Sequence, residues 1–532
     1  MGDSLKPIMY IELTREKFIA MLLIVTVLAS GSAFFVLANN AWNLLPGAGH
    51  AIARSESGFL YWLFYGSSAT EALSTPAGNA LSVPVLAYHG EDATSEMPLS
   101  VFVEHMRALK ADGWRTITMK QYDAWAQGEI QLPDKSFLLT FDDGRKDTYY
   151  QFDPVLEDME FHGVMFVITG LSFPDDGKRS SFYLNETELT RMIASGRWEL
   201  ESHGHADHGT FAVQTTTDLT QSASTTTGHY LTNLFWNTEA NRFETSAEFR
   251  ARVRNDQIVS KRLLEDTFGI TVDAFAYPFN DFGQNTVNFP GSKNMLDSVV
   301  PKVYTYAFYQ TWRQNGDTFN YPRTNNGPGT TAYMEKRVEP PSTWSGKDLI
   351  DVLDDGRAKP MPYQSSTFGT EWVETWGDAT VTSSGVVLFA LPTTSGASAF
   401  LNGSGWWGDY YFAATVLWQK SRSVSLIARN LDDRHYAYCD FTPTQVLIKR
   451  HTEDGAQTTL TRASATLSTE GTVSLGVGVS GNRMTCYENG TPIVSAVVSM
   501  PTRGGIGIEV WDKTPGTARS TVTSVSVTHA RE

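Results

Sequence analysis

Ser136-Phe137-Leu138-Leu139-Thr140-Phe141-Asp142-Asp143-Gly144 is the stretch on which the fold turns. Residues 136–140 read as an apolar strand, and Asp142 and Asp143 leave its end one peptide apart. Asp-Asp-Gly also occurs at 175–177 and 354–356, where it reads as ordinary turn chemistry. The difference lies in what precedes it. A buried apolar run that ends in paired acids puts them at the C-terminal edge of a parallel sheet or barrel, where α/β enzymes carry their reactive groups.

The neighbouring sequence continues the same pattern. Upstream, residues 83–88 predict a strand and 99–112 a helix, with Phe102, Met106 and Leu109 at helical spacing and Gly113 closing it. A strand at 115–118 and a helix over 119–127 follow. Downstream come a strand at 163–168, a helix over 185–195 and a strand at 198–202. This alternation implies a parallel sheet or barrel. A Ser/Thr-rich insertion between 209 and 243 reads as a long surface loop or cap. From about 369 helices disappear and short alternating strands take over, for example 436–441 and 445–450, which predicts an all-β sandwich. Asn489-Gly490 marks a two-residue hairpin turn, and 361–368 reads as the linker between the two parts.

At 532 residues the chain is long enough for two domains and a tether. Its net charge of −16, with a pI near 5.2, excludes a nucleic-acid partner, because no basic stripe is present to displace counterions from phosphate. Residues 18–37 are uncharged and apolar, and as a helix they would be about 30 Å long, the thickness of a bilayer core. Lys6, Arg15 and Lys17 precede them and only Arg54 follows closely, so the positive-inside rule leaves residues 1–17 as a cytoplasmic tail. Residues 38–80 then form a stalk, and the rest is extracellular on a single-pass anchor. A signal peptide cleaved near residues 29–33 is the alternative, and it also exports the remainder. The two cysteines, Cys439 and Cys486, exclude a cysteine zinc site and a disulfide-framework fold; one disulfide or two buried thiols both remain open.

Three of the 11 histidines lie in Ser202-His203-Gly204-His205-Ala206-Asp207-His208-Gly209, directly after a predicted strand. His203 and His208 would point about 140° apart on a helix, so joint coordination needs a loop. Two metal readings compete. His203, His205, Asp207 and His208 together resemble the motif of metallo-β-lactamase-fold hydrolases. That set needs a further histidine well downstream, yet after His229 the next is His435, and it leaves Asp142 and Asp143 unused. Asp143 with His203 and His208 instead leaves coordination positions open, as a catalytic metal requires.

Thr140-Phe141-Asp142-Asp143-Gly144, the later Ser202-His203 and His208-Gly209, and Phe275-Ala276-Tyr277-Pro278-Phe279-Asn280 together resemble the polysaccharide deacetylases of the NodB homology class, carbohydrate esterase family four. Residues 83–89, Val-Pro-Val-Leu-Ala-Tyr-His, are similar to the branch acting on poly-N-acetylglucosamine. The resemblance implies a distorted (β/α) barrel over residues 81–360 and a hydrolase of carbon-nitrogen bonds other than peptide bonds, removing N-acetyl or O-acetyl groups from a polysaccharide. It implies that Asp143, His203 and His208 hold a divalent metal, with Zn2+ suited to two imidazoles and a carboxylate. It makes Asp142 the general base, His89 the proton donor in place of the family's late histidine, and Arg337, ahead of Arg323, the partner of the base. Tyr277 and Pro278 would line the substrate site, with a backbone N–H of that loop facing the oxyanion. His205 and Asp207 fall outside the ligand set, and His105, His162 and His229 read as ordinary helix or loop histidines.

Residues 369–532 resemble concanavalin-like or laminin-G-like jelly-roll sandwiches in residues 481–494 and 504–508. The resemblance implies a possible carbohydrate-binding role, for which Trp406, Trp407 and Trp418 are the stacking candidates. The expected partners are therefore an acetylated polysaccharide and, through residues 18–37, a membrane. A glycan-binding surface protein without activity is the non-enzymatic alternative; it would be marked by a His89 remote from the metal residues.

Overall fold

The computed structural model describes residues 78–530 except 91–96, 175–176, 214–226, 313–316, 324–332, 366–367, 383–384, 432–434 and 452–455, together with Gly58, Tyr61, Trp62 and Tyr65. Strands β1 (Val85–Tyr88), β2 (Ser136–Phe141), β3 (Gly163–Val167), β4 (Trp198–Ser202), β5 (Ala274–Ala276), β6 (Tyr306–Gln310) and β7 (Met334–Arg337) lie side by side in chain order, every pair parallel. A short strand, Arg115–Thr116, pairs beside β2. The sheet closes on itself where Val338 N–H donates to Val85 O at 2.8 Å and Ala87 N–H to Val338 O at 2.9 Å. This is the (β/α) barrel that the family resemblance implied; the alternating pattern alone left a parallel sheet or a barrel open.

Two-residue periodicity explains both faces of its wall. Val85, Leu138, Val164, Phe166, Ala274, Ala276, Tyr306 and Phe308 fill the interior, and helix α1 (Met119–Ala126) plugs its lower end with Met119, Tyr122 and Trp125. Phe137, Leu139, Phe141, Met165 and Phe275 point outward into a second core shared with the surrounding helices. Thr118 and Gln121 form a capping box that starts α1 at that place. Tyr61 and Tyr65, expected to be stalk, pack onto this barrel: the Tyr61 hydroxyl donates to Asp158 at 2.8 Å, and the Tyr65 carbonyl accepts from Arg107.

The insertion after β4 carries two short antiparallel pairs, Thr210–Ala212 with Thr227–His229 and Trp236–Asn237 with Arg242–Phe243. The apolar segment 18–37 lies outside the described residues. Among the described residues no helix is long and apolar enough to cross a membrane.

The C-terminal part consists of two antiparallel sheets facing each other across one core. Residues 361–368 do not act as a free linker, because Tyr363–Ser365 pairs with Arg519–His529 as a strand of the first sheet. Asn489 and Gly490 take φ of 48° and 76° in the hairpin turn between Arg483–Glu488 and Thr491–Val497, the left-handed pair that such a turn needs. The sugar-stacking expectation fails for the tryptophans. Trp407 and Trp418 are buried in the core, and half-buried Trp406 packs against it. The indole N–H groups of Trp406 and Trp407 both donate to Lys359 O at 2.9 Å, fixing them toward the barrel side of the domain.

Cys439 and Cys486 are joined, tying one sheet to the other across a separation of 47 residues. Replacing both by alanine is expected to lower stability by about 2–4 kcal/mol. Urea midpoints at constant m-value measure this, and an unchanged midpoint would show that the cross-link adds nothing.

Candidate active site

The site is assembled at the C-terminal ends of the barrel strands. Asp142 follows β2 and is buried; Asp143 then turns into the left-handed region at φ 73°, a conformation that aspartate tolerates better than most residues, and Gly144 follows at φ 70°. The two carboxylates therefore diverge. Arg337, the last residue of β7, donates Nη1 to Asp142 Oδ1 and Nη2 to Asp142 Oδ2, both at 2.7 Å, and Nη1 also reaches Thr140 Oγ1. Burial alone would raise the Asp142 carboxyl, but the paired guanidinium, His203 and His89 outweigh it and hold the group well below the ordinary carboxylate range. Arg323, the other candidate partner, instead pairs with Glu335 near the lower end of the barrel.

Asp143 faces the histidines of the loop after β4. Its Oδ1 is 3.5 Å from His203 Nε2 and 3.3 Å from His208 Nε2, and the three donor atoms lie within 4.8 Å of one another. Four ligands about 2.1 Å from a tetrahedral zinc have donor atoms about 3.4 Å apart, so this carboxylate and these imidazoles fit a divalent ion. His203 Nδ1 donates to Ala276 O at 2.8 Å, which leaves Nε2 as the lone-pair donor. Burial and the neighbouring His203 lower His208 to about 4, so it presents a neutral imidazole. Asp143 is held at about 2: burial opposes ionisation, and the surrounding histidines outweigh it.

His205 and Asp207 do not join this group, which removes the four-residue metallo-β-lactamase set. His205 Nδ1 meets Thr169 Oγ1 at 3.1 Å. Asp207 is buried under the loop and accepts from Gln257 Nε2 at 3.1 Å, while Asp256 accepts the backbone N–H groups of His205 and Ala206. Burial first, then mutual repulsion, pushes the Asp207 carboxyl up. A side chain at Gly204, whose φ is 79°, would overlap the Asp207 carboxylate, so glycine is what allows the loop to fold over it.

His89 follows β1 and lies beside the base, with Nε2 3.7 Å from Asp142 Oδ2. Its Nδ1 is 2.8 Å from Glu339 Oε1. Burial would lower this imidazole, but the hydrogen bond to Glu339 and the charges of Asp142, Glu339 and Asp143 raise it to about 9. A pocket of about 280 Å³ opens beside it, lined by Tyr88, His89, Met97, Trp312, Glu339 and Pro340 among others.

Glu339 escaped the sequence reading although a signal was present: it lies two residues after Arg337, so strand alternation puts both on one face. Tyr277 and Pro278 are not open substrate contacts. Both are buried; Tyr277 N–H donates to Phe308 O at 3.0 Å, its hydroxyl meets Tyr333, and Pro278 has no N–H, so neither supplies the expected oxyanion donor. His105 sits in the core between the Tyr88 hydroxyl and Trp344 O, and His162 lies beside Glu199. His229 is not an ordinary loop residue: its ring stacks on Phe279, which in turn touches His208.

Part of the chain is similar to known proteins. The polysaccharide deacetylase family model matches residues 129–293. The poly-beta-1,6-N-acetyl-D-glucosamine N-deacetylase of Escherichia coli (strain K12) is 23% identical over 194 residues, which is 34% of this chain and 27% of that protein. The putative polysaccharide deacetylase YxkH of Bacillus subtilis (strain 168) is 29% identical over 123 residues, 23% of this chain and 42% of that protein. The chain thus spans less than half the length of these curated relatives. The deacetylase domain of BpsB from Bordetella bronchiseptica superimposes with a TM-score of 0.39 at 22% identity, covering 50% of this chain and 99% of that one. The motifs lie in order along the chain and meet at one rim, and the segment matched by the polysaccharide deacetylase family model, residues 129–293, carries Asp142, Asp143, His203 and His208.

Proposed function

We propose that the barrel is a metal-dependent hydrolase that removes N-acetyl groups from an extracellular amino-sugar polysaccharide. The observation that carries this reading is that the carboxylate of Asp142, held low by Arg337, and the imidazole of His89, held high by Glu339, lie 3.7 Å apart beside a carboxylate–imidazole triad. Two groups pushed apart in this way divide the work of base and acid. A divalent cation held by Asp143, His203 and His208, for which Zn2+ fits the donors, supplies Lewis acidity to the acetyl carbonyl and to the attacking water.

Asp142 accepts a proton from that water as its oxygen bonds to the acetyl carbon. The carbon–nitrogen bond then breaks, and His89 donates a proton from Nε2 to the leaving nitrogen, giving acetate and a free amine. Arg337 keeps Asp142 ionised and aimed. Glu339 keeps His89 charged, and the adjoining pocket gives the sugar that bears the amine a place beside the donor. An amide nitrogen leaves as its anion far less readily than an alkoxide does, so a donor held protonated favours N-acetyl over O-acetyl substrates. The proximity of His89 to Asp142 also disfavours an inactive glycan-binding protein. The extracellular setting rests on residues 18–37 acting as an anchor, with the barrel outside the membrane.

Acetate release from chitin, poly-β-1,6-N-acetylglucosamine and peptidoglycan fragments tests this reading. Release is expected from at least one, to stop after chelation and to return when metal is restored. A chain that retains no divalent ion after dialysis, or releases no acetate from any of the three when loaded, would remove the reading.

A further inference from the structure

The two histidines of the triad are oriented by different means. His203 donates its second ring nitrogen to Ala276 O, the usual arrangement for a metal-binding imidazole. His208 Nδ1 is buried and has no hydrogen-bond partner among the described residues. Its ring instead meets that of Phe279, with centroids 4.7 Å apart and planes at 40°. The other neighbour of Phe279 is His229, stacked at 4.4 Å with an interplanar angle of 13°. His229 Nδ1 is 2.6 Å from Asp281 Oδ2, which also accepts from Thr232 Oγ1 at 2.8 Å, while Asp281 Oδ1 accepts from Gly283 N–H.

Phe279 is held against His208 by its own backbone as well. Phe279 and Asn280 take φ of 56° and 52°, a pair of left-handed conformations that persists only where the surroundings impose it. Here the Asn280 side chain donates to Gln310 O at 3.1 Å and accepts from Gln310 N–H at 2.7 Å, tying the loop after β5 to the end of β6. Phe279 nevertheless remains 43% exposed, so burying its ring is not what fixes it there.

We infer that Phe279, His229 and Asp281 form a brace that positions His208 for the metal in place of the missing hydrogen bond at Nδ1. The inference rests on the metal-dependent reading of this site and extends it to His229 of the insertion after β4 and to Phe279 and Asp281 of the loop after β5. The column restricts rotation of the His208 ring, so the entropy of ordering that ligand is lost on folding and not on metal uptake. Phe279, His229 and Asp281 are positioning residues; none belongs to the ligand set.

The test is metal affinity in the full chain, measured by competition with a chromophoric chelator and checked by the visible spectrum of the Co(II) form. Phe279→Ala is expected to weaken binding about 10-fold, the lower end of what loss of a ligand's supporting partner costs. His229→Ala should weaken it similarly, whereas Phe279→Tyr, which keeps the ring, should restore wild-type affinity and spectrum. The metal-free Tm should be unchanged in Phe279→Ala and Phe279→Tyr, whereas His229→Ala, which strips the buried Asp281 of a partner, is compared at equal folded fraction. Wild-type affinity and an unaltered Co(II) spectrum in Phe279→Ala would overturn the brace alone. So would a raised KM for glycan with metal affinity intact, which would make Phe279 a substrate wall. A wild-type chain that takes up no divalent ion would overturn the brace and the deacetylase reading together.

Discussion

Asp142→Asn is expected to lower kcat about 10⁴-fold, the upper end of what general acid–base catalysis contributes, while leaving the metal in place. The upper end applies because no other described carboxylate is placed to take the proton. Asp143 is turned toward the histidines, and Glu339 is engaged by His89. Asparagine preserves the shape of the site, but one oxygen becomes an N–H₂ group that faces Arg337 Nη2, donor against donor. The guanidinium is then buried beside a neutral partner, and breaking a buried pair in this way costs about 3–5 kcal/mol of stability. Activity must therefore be compared at equal folded fraction, fixed by circular dichroism. Asp143, His203 and His208 are untouched, so bound metal should stay stoichiometric. Equal acetate release by wild type and variant would remove Asp142 as the base; loss of metal along with activity would make it a ligand.

The parallel strand order and the core of the site were legible because each depends on local pattern, whereas closure into a barrel came from the family resemblance. Apolar strands ending at Tyr88, Phe141 and Ser202 announce their own ends, and parallel order then brings His89, Asp142, Asp143 and the His203–His208 loop to one rim. His89 and Arg337 needed more. Their roles came from a family resemblance, since nothing local separates His89 from a capping histidine. Features that depend on distant pairing were not legible. Tyr363–Ser365 looked like linker because its partner strand lies near the chain's end. His229 looked ordinary because Asp281 and Phe279 approach it only through the folded insertion. The tryptophans misled for a related reason: alternation along a strand shows that one face is buried, and a sandwich strand does not state which.

The residues around the reacting groups also explain why so acidic a site stays folded. Each carboxylate that must be ionised has a cationic or imidazole neighbour: Arg337 for Asp142, His203 and His208 for Asp143, and His89 for Glu339. Asp207 and Asp256 are pushed toward the protonated form instead, by burial above all, and the charges of His205 and Arg252 only partly offset this at Asp256. Charge is thus kept where chemistry uses it and suppressed beneath the metal loop.

The same division predicts how the proton donor answers to pH. His89→Ala is expected to lower kcat about 10²–10³-fold for an N-acetyl substrate, whose leaving nitrogen must be protonated. It should cost far less for an activated aryl acetate, whose leaving oxygen needs no proton. Glu339→Gln gives the finer test, because it keeps a hydrogen-bonding oxygen near His89 Nδ1 and removes the charge. Burial opposes the charged imidazole, and Glu339 is foremost among the groups that overcome it to reach about 9. Without that charge the folded pKa must fall. A donor works only while protonated, so activity declines as pH rises through its pKa, and in Glu339→Gln the decline must begin at lower pH. A divalent cation at the triad lowers the limb in both proteins and leaves the direction of the difference unchanged. Profiles of kcat/KM from pH 5 to 10 measure it. An alkaline limb that stays in place in Glu339→Gln, or one that persists in His89→Ala, would assign the proton to a different group.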